Sequence, residues 1–172
     1  MLPPGRYRVT QDEIRTRFVD GRGQGRAALW RDWEVTTKML GRHVCVNAAW
    51  LYGSFLSDVK DPAVVQCVYW AEDHELGKAR LDPVVAKVLR AYALPGQLQR
   101  VVGVKVDTAL VAWHCQPDMH DRDEYFAQYT TRRGEFDDVL QRVPSGPRGA
   151  SLGREDAVPR RGYVEVVIDG YF

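Results

Sequence analysis

Trp50-Leu51-Tyr52-Gly53-Ser54-Phe55, followed ten residues after Ser54 by Val64-Val65-Gln66-Cys67-Val68-Tyr69, is the stretch whose reading decides the architecture. Each half belongs to an apolar run, His43–Leu51 and Ala63–Trp70. The second run is too apolar throughout for a sheet wetted on one side, so it reads as a strand covered on both faces. Gly53-Ser54 closes the first run as a turn. Two further runs complete the predicted strands. Val101–Trp113 is one. Tyr163–Ile168 is the other, with Val164, Val166 and Ile168 on one face and Glu165 and Val167 on the opposite one.

Outward from these strands the periodicity becomes helical. Thr10-Gln11-Asp12-Glu13 has the form of a capping box, in which hydroxyl and carboxylate satisfy orphan amides reciprocally, and it predicts a helix to about Phe18. Gly21-Arg22-Gly23-Gln24-Gly25 breaks that helix. No strand precedes this glycine run, so it reads as a flexible loop rather than a phosphate cradle. Leu29, Trp30, Trp33, Thr37 and Leu40 then recur at helical spacing, with Gly41 as a stop. Asp82-Pro83 is a cap and first-turn pair for a helix to about Tyr92. Asp118–Tyr129 is predicted helical, with Tyr125, Phe126 and Tyr129 on one face. Pro3-Pro4-Gly5 is an extended, turn-prone entry. Residues 132–161 are rich in Gly, Pro and Arg and are predicted to be mostly loop, with a short helix at 136–143. The order implies one α/β (α+β) domain over residues 1–172, a mixed sheet with helices packed on it.

Composition sets the class. The 172 residues are 45% hydrophobic and 27% charged, with a net charge of +1, which is ordinary for a soluble domain of roughly 100–200 residues. A near-neutral balance points to no particular nucleic-acid or membrane partner. Cys45, Cys67 and Cys115 each lie in or beside an apolar run. Their odd number suits buried, reduced thiols and a cytoplasmic location. No basic segment leads into an apolar one at the start, and no run approaches the roughly 18 apolar residues of a membrane helix.

Two carboxylates at positions i and i+2 of one strand face the same way and can share metal ions. A glycine–serine turn just upstream offers amides and a hydroxyl to phosphate. Here Tyr52-Gly53-Ser54-Phe55 precedes the strand holding Val64 and Gln66. A later strand, Val104-Lys105-Val106-Asp107-Thr108-Ala109-Leu110, carries a single acid in an apolar setting. The arrangement resembles the nucleotidyltransferase superfamily of DNA-polymerase-β-like enzymes, whose pattern is Gly-Ser, a short spacer, then Asp-x-Asp on a strand. Three blocks resemble more closely a family of small nucleotidyltransferase-like proteins of bacteria and phages: Leu2-Pro3-Pro4-Gly5, Gly53 to Pro62, and Arg161 to Ile168. The likeness covers most of the chain in order, and the block from Gly53 to Pro62 is its specific part.

The resemblance implies a nucleotidyltransferase-like fold and a nucleotide site at Gly53 and Ser54, and it puts the metal-binding carboxylates at Val64 and Gln66, with Asp107 as the third acid. The sequence departs from the pattern there. Valine cannot bind a cation, and glutamine offers one neutral oxygen, so the two-metal clamp that nucleotidyl transfer needs is not expected. Asp107 is left as the one retained catalytic acid. Magnesium would require Asp58 or Asp61, in the spacer, to join it; solvated loop acids are the plainer reading of both.

Other features carry less. His114, Cys115, Asp118 and His120 match no zinc spacing and read as a loop. Arg132, Arg133, Arg142, Arg148, Arg154, Arg160 and Arg161 are compatible with a phosphate or nucleic-acid surface and also with solvated loops. Arg160-Arg161 is the best candidate pair for a nucleotide. Three readings stay open. The first is a catalytically degenerate protein that binds a nucleotide or a protein partner, in a setting such as phage defence or a toxin–antitoxin system that the resemblance alone implies. The second is an active nucleotidyltransferase with a non-standard carboxylate set, and the third an assembly protein with a closed cleft.

Overall fold

The computed structural model describes residues 1–146, 151 and 153–169. Its frame is one mixed five-stranded sheet: β1 (Gly5–Val9), β2 (Val46–Tyr52), β3 (Val65–Glu72), β4 (Val106–Trp113) and β5 (Gly162–Val167), in the order β1-β5-β2-β3-β4. β1 runs parallel to β5 and β4 parallel to β3, while β2 is antiparallel to both of its neighbours. The expected mixed α/β architecture is therefore what this chain adopts. Among the described residues six α-helices pack around the sheet: α1 (Gln11–Phe18), α2 (Gln24–Gly41), α3 (Asp73–Ala79), α4 (Pro83–Ala93), α5 (Gln97–Val102) and α6 (Glu124–Leu140).

Local chemistry explains the starts of three helices. Thr10 accepts the Glu13 amide while the Glu13 carboxylate takes the Thr10 amide, so the capping box that opens α1 is formed. Asp82 accepts from the Val84 and Val85 amides ahead of Pro83. Asp123 caps α6 through the Phe126 amide at 2.8 Å.

The sheet has two unlike faces. Alternation sends Ala49, Leu51, Val65, Cys67, Tyr69, Val106, Val164 and Val166 to one side, where they meet Ile14, Phe18, Trp30, Trp33, Leu76, Leu89, Tyr92 and Leu98 from α1 to α5. The other side presents Ala48, Trp50, Val68, Trp70 and Tyr163, and α6 covers it with Tyr129 and Leu140. Some polar groups inside the first core are paired: the Thr37 and Tyr69 hydroxyls meet at 2.8 Å, and the Thr108 hydroxyl donates to the Tyr92 carbonyl.

Several expectations need correction. Residues 132–140 are not loop, because α6 runs unbroken through Gly134 to Leu140. One interior glycine costs a helix only about 1 kcal/mol, and Phe126, Tyr129, Phe136 and Leu140 together line the buried side. That helix also begins at Glu124, later than expected. Val101 and Val102 close a short helix, Gln97–Val102, rather than open a strand. Gly96 and Gly103, at φ +68° and +81°, bracket that short helix, and β4 starts only at Val106. Gly5–Val9 is a strand, although Pro3-Pro4-Gly5 had suggested only an entry turn; its alternation of Arg6 and Arg8 with Tyr7 and Val9 is the signal. α3 was not anticipated either, Gly77 having hidden its pattern. Of the cysteines, Cys67 is buried, Cys45 half-buried and Cys115 exposed, so burial of all three does not hold. Among the described residues no helix is long and apolar enough to cross a membrane.

Candidate functional site

Strand register brings the key positions into one row. Tyr52 of β2 pairs with Gln66 of β3, and Gln66 pairs with Asp107 of β4. All three side chains lie on the α6 side of the sheet. Directly after Tyr52 the chain turns at Gly53, whose φ of +83° suits glycine. A Cβ placed there would sit 2.0 Å from Gln66 Oε1. The carboxamide of Gln66 thus lies flat against the turn, and a side chain at position 53 would evict it. Gly53 and Gln66, separated by 13 positions in sequence, are in contact.

The turn itself is held from behind. The Ser57 hydroxyl and amide both donate to the Ser54 carbonyl, at 2.7 and 3.1 Å. Arg26, in the first turns of α2 and only 2% exposed, donates to the carbonyls of Phe18, Phe55, Ser57 and Val59 at 2.6–3.0 Å. One guanidinium therefore satisfies four main-chain oxygens, one at the end of α1 and three in the irregular segment after β2, which could not pair them with itself. Sequence reasoning missed Arg26, because nothing in the spacing of an arginine near a helix start announces burial. Ser54 is left exposed at the tip.

Arg161 joins this end of the sheet. Its guanidinium stands 5.9 Å over the Tyr52 ring, and its Nε donates to the Leu140 carbonyl at 2.9 Å. Burial pushes the Tyr52 phenol up to about 12, and the Asp107 charge adds to that shift. Arg160 goes elsewhere: it is exposed and donates to the Glu155 carbonyl at 3.2 Å. The pair read from the sequence is therefore split, one member at the row and one in solvent. Arg148 lies outside the described residues.

The acids do not assemble a magnesium site here. Asp107 is engaged, its Oδ1 accepting the Gly96 amide at 2.7 Å. Val64 precedes β3 and has no donor atom, and Gln66 carries no charge. Asp58 is exposed and pairs with Arg22 at 3.5 Å and with the Met1 amino group at 3.1 Å; these contacts hold its carboxyl below the usual range, the Met1 hydrogen bond foremost. Asp61 is exposed as well. Among the described residues, only Glu72, Asp73 and His74 bring three ligand atoms within 4.8 Å of one another, and they are not at this row. A divalent ion needs charged oxygens arranged around it, so the residues present do not fit a two-metal centre. What the row offers is one carboxylate, one carboxamide, a buried phenol, an arginine and a free hydroxyl. Such a set can hydrogen-bond a bound molecule but cannot clamp two cations.

Two further polar clusters lie on the sheet, one beside the row and one at the far end of β4, and neither was legible in advance. Glu165, 8% exposed, accepts from Trp50 Nε1 at 3.0 Å, with Arg6 at 3.8 Å and Arg133 at 3.9 Å. Both guanidinium groups also stack on Trp50, at 5.4 and 5.5 Å. Alternation had put Glu165 opposite Val164, but only α6 and β1 could supply its arginines. His114, at the end of β4, contacts Asp73 through Nδ1 and Asp123 through Nε2, the latter at 3.1 Å. The hydrogen bond to Asp73, then the charges of both acids, raise its pKa against the opposing effect of burial. Cys115, Asp118 and His120 do not gather with it into a metal site: the Asp118 carboxylate instead accepts the His120 amide.

No curated protein and no solved structure matches the chain significantly. Residues 1–147 match DUF6932, described as a family of unknown function, and the chain belongs to that family.

Proposed function

We propose that this chain is a nucleotidyltransferase-like protein without metal-dependent transfer chemistry, and that it acts by binding a nucleotide at the Gly53–Gln66–Asp107 end of its sheet. The observation that carries this reading is the row itself. The Gly-Ser turn, Gln66 and Asp107 lie together at one end of the sheet, and the row carries one carboxylate where metal-dependent transfer needs several. The exposed Ser54 hydroxyl and the half-buried Arg161 are the groups suited to phosphate, since a desolvated guanidinium binds anions through several donors at once.

The test is melting of the full chain with nucleoside triphosphates, with and without magnesium, beside a transfer assay using an α-labelled triphosphate. Binding at a hundred times Kd would add about 2.7 kcal/mol of stability. Stabilisation should need no metal, should weaken in Ser54→Ala, and should come with no label transfer. Gly53→Val is a poor probe because its φ and the Gln66 contact would damage folding. Metal-dependent transfer that Asp107→Asn abolishes would overturn the proposal in favour of an enzyme with unusual ligands. The double substitution Val64→Asp with Gln66→Asp sharpens it, since a new manganese site would follow if positions 64, 66 and 107 keep a metal-holding geometry.

A second reading has one specific observation behind it. Gln66 already fills the space over Gly53 and Asp107 is already bonded to Gly96, which is how a closed cleft in an assembly protein would look. No stabilisation by any nucleotide, together with capture of a protein partner, would favour it.

A further inference from the structure

The opposite end of β3 holds a second polar group. Glu72 lies six residues beyond Gln66 on the same strand, about 20 Å away at ~3.3 Å per residue. Glu72 ends β3, and Asp73 and His74 open α3. His74 Nδ1 stands 3.7 Å from Glu72 Oε2 and 3.8 Å from Asp73 Oδ1. Both distances are too long for hydrogen bonds. They approach the roughly 3.4 Å between ligand atoms around a tetrahedral cation with bonds of about 2.0–2.1 Å. The other oxygen of each carboxylate is tied back. Glu72 Oε1 accepts from Asn47 Nδ2 at 2.6 Å, and Asp73 Oδ2 is bonded to His114. Asp73 Oδ1 also accepts the His74 amide at 2.6 Å. Outer partners of this kind aim ligands at a metal.

Asn47 is the independent indication. It sits where the β2–β3 register shifts between Val46 and Ala48, and it is only 3% exposed. Its Oδ1 is buried with no hydrogen-bond partner among the described residues, while Nδ2 of the same carboxamide touches Glu72. A buried amide oxygen is rarely left unpaired, and an absent ion is one of the few explanations. Oxygen of this type is also a usual ligand for divalent cations. Among the described residues the ion pairs of Glu72 and Asp73 are with histidines alone, so no lysine or arginine neutralises them. The charges of Asp169, Glu75 and Glu72 add to burial in pushing the nearby Cys45 thiol up to about 11.

We propose that Glu72, Asp73 and His74, with the Asn47 carboxamide oxygen, form a binding site for a zinc-type divalent cation. One imidazole with two carboxylates and a neutral oxygen is a set that zinc accepts in four-coordination. The ion ties the start of β2 to the end of β3 and to α3, and through Asp73 it engages His114.

The test uses the full chain stripped of metal with a chelator, then titrated with Zn²⁺ alone by calorimetry, with Mn²⁺ as comparator. One equivalent binds, and the melting temperature rises by several degrees. His74→Ala spares the core, because that side chain is 59% exposed, and it weakens binding by roughly tenfold or more. Glu72→Gln does the same, and His120→Ala, at an exposed imidazole in another loop, leaves binding unchanged. Affinity no tighter than millimolar overturns the proposal. So does tight binding that survives both His74→Ala and Glu72→Gln, which would assign the metal to stray surface imidazoles. Nucleotide-induced stabilisation that persists in His74→Ala separates this site from the proposed nucleotide end.

Discussion

The two faces of the sheet are built on different principles. Toward α1–α5 the sheet meets an apolar core in which Trp33, Leu40, Leu51, Phe55, Cys67, Tyr69 and Tyr92 have no measurable exposure. Toward α6 it presents Trp50 and Trp70 interleaved with Glu165, Gln66 and Asp107, and arginines from β1 and α6 lean over the Trp50 indole. The first face gains free energy chiefly by removing apolar area from water. The second face gives up some of that burial to keep hydrogen-bonding groups in fixed places. Stability should therefore reside mainly on the first face, and recognition on the second.

Substitutions can break this contrast. The largest effect expected is Trp33→Ala on the first face. Its side chain is fully buried, and the truncation should cost about 3–5 kcal/mol in urea unfolding. A cost below about 1 kcal/mol would mean that this core is not the source of stability. Next comes Arg26→Met, which keeps the aliphatic stem and removes the guanidinium from four carbonyls. Buried acceptors left unpaired cost about 1–3 kcal/mol each before water relieves them, so a net loss on the order of 3 kcal/mol is expected. Because these carbonyls support the Gly53–Val59 segment, hydrogen exchange there should accelerate more than in β5.

On the second face, Glu165→Ala should cost about 1–3 kcal/mol by leaving the Trp50 indole N–H unpaired and setting Arg6 and Arg133 side by side. An equal loss in Glu165→Gln would show that charge, rather than the indole hydrogen bond, is what matters.

The smallest effect is a pH dependence at His114. Its folded pKa lies above the unfolded value of about 6.5, so the protonated imidazole binds its proton more tightly in the native chain. That contribution is complete below the unfolded pKa and is lost as pH rises through the raised folded value. The melting temperature should thus fall more steeply between neutral and alkaline pH in the parent than in His114→Gln. Parallel curves would detach α6, which Asp123 caps beside His114, from this imidazole.

Much of this architecture could be read locally. The strands around Val65–Glu72 and Gly162–Val167 announce themselves by runs and alternation, and α1 by its capping box, because each depends on neighbours within a few positions. Where glycines interrupt a pattern, as at Gly77, Gly96, Gly103 and Gly134, local reading failed, since tertiary packing decides whether a helix tolerates them. The site divided in the same way. Gly53, Gln66 and Asp107 were singled out in advance by the resemblance alone; that they share one row rests on the strand register.

Arg161 over Tyr52, Arg26 beneath the turn and the Asn47–Glu72 contact could not be foreseen. Each joins segments far apart in the chain, and the partners of a long polar side chain are set by which backbone happens to end nearby. Pattern along the chain determined which residues share a strand face and that Val64 and Gln66 carry no charge. Only the packed structure decided which charges are buried, because burial depends on what the rest of the molecule lays over them.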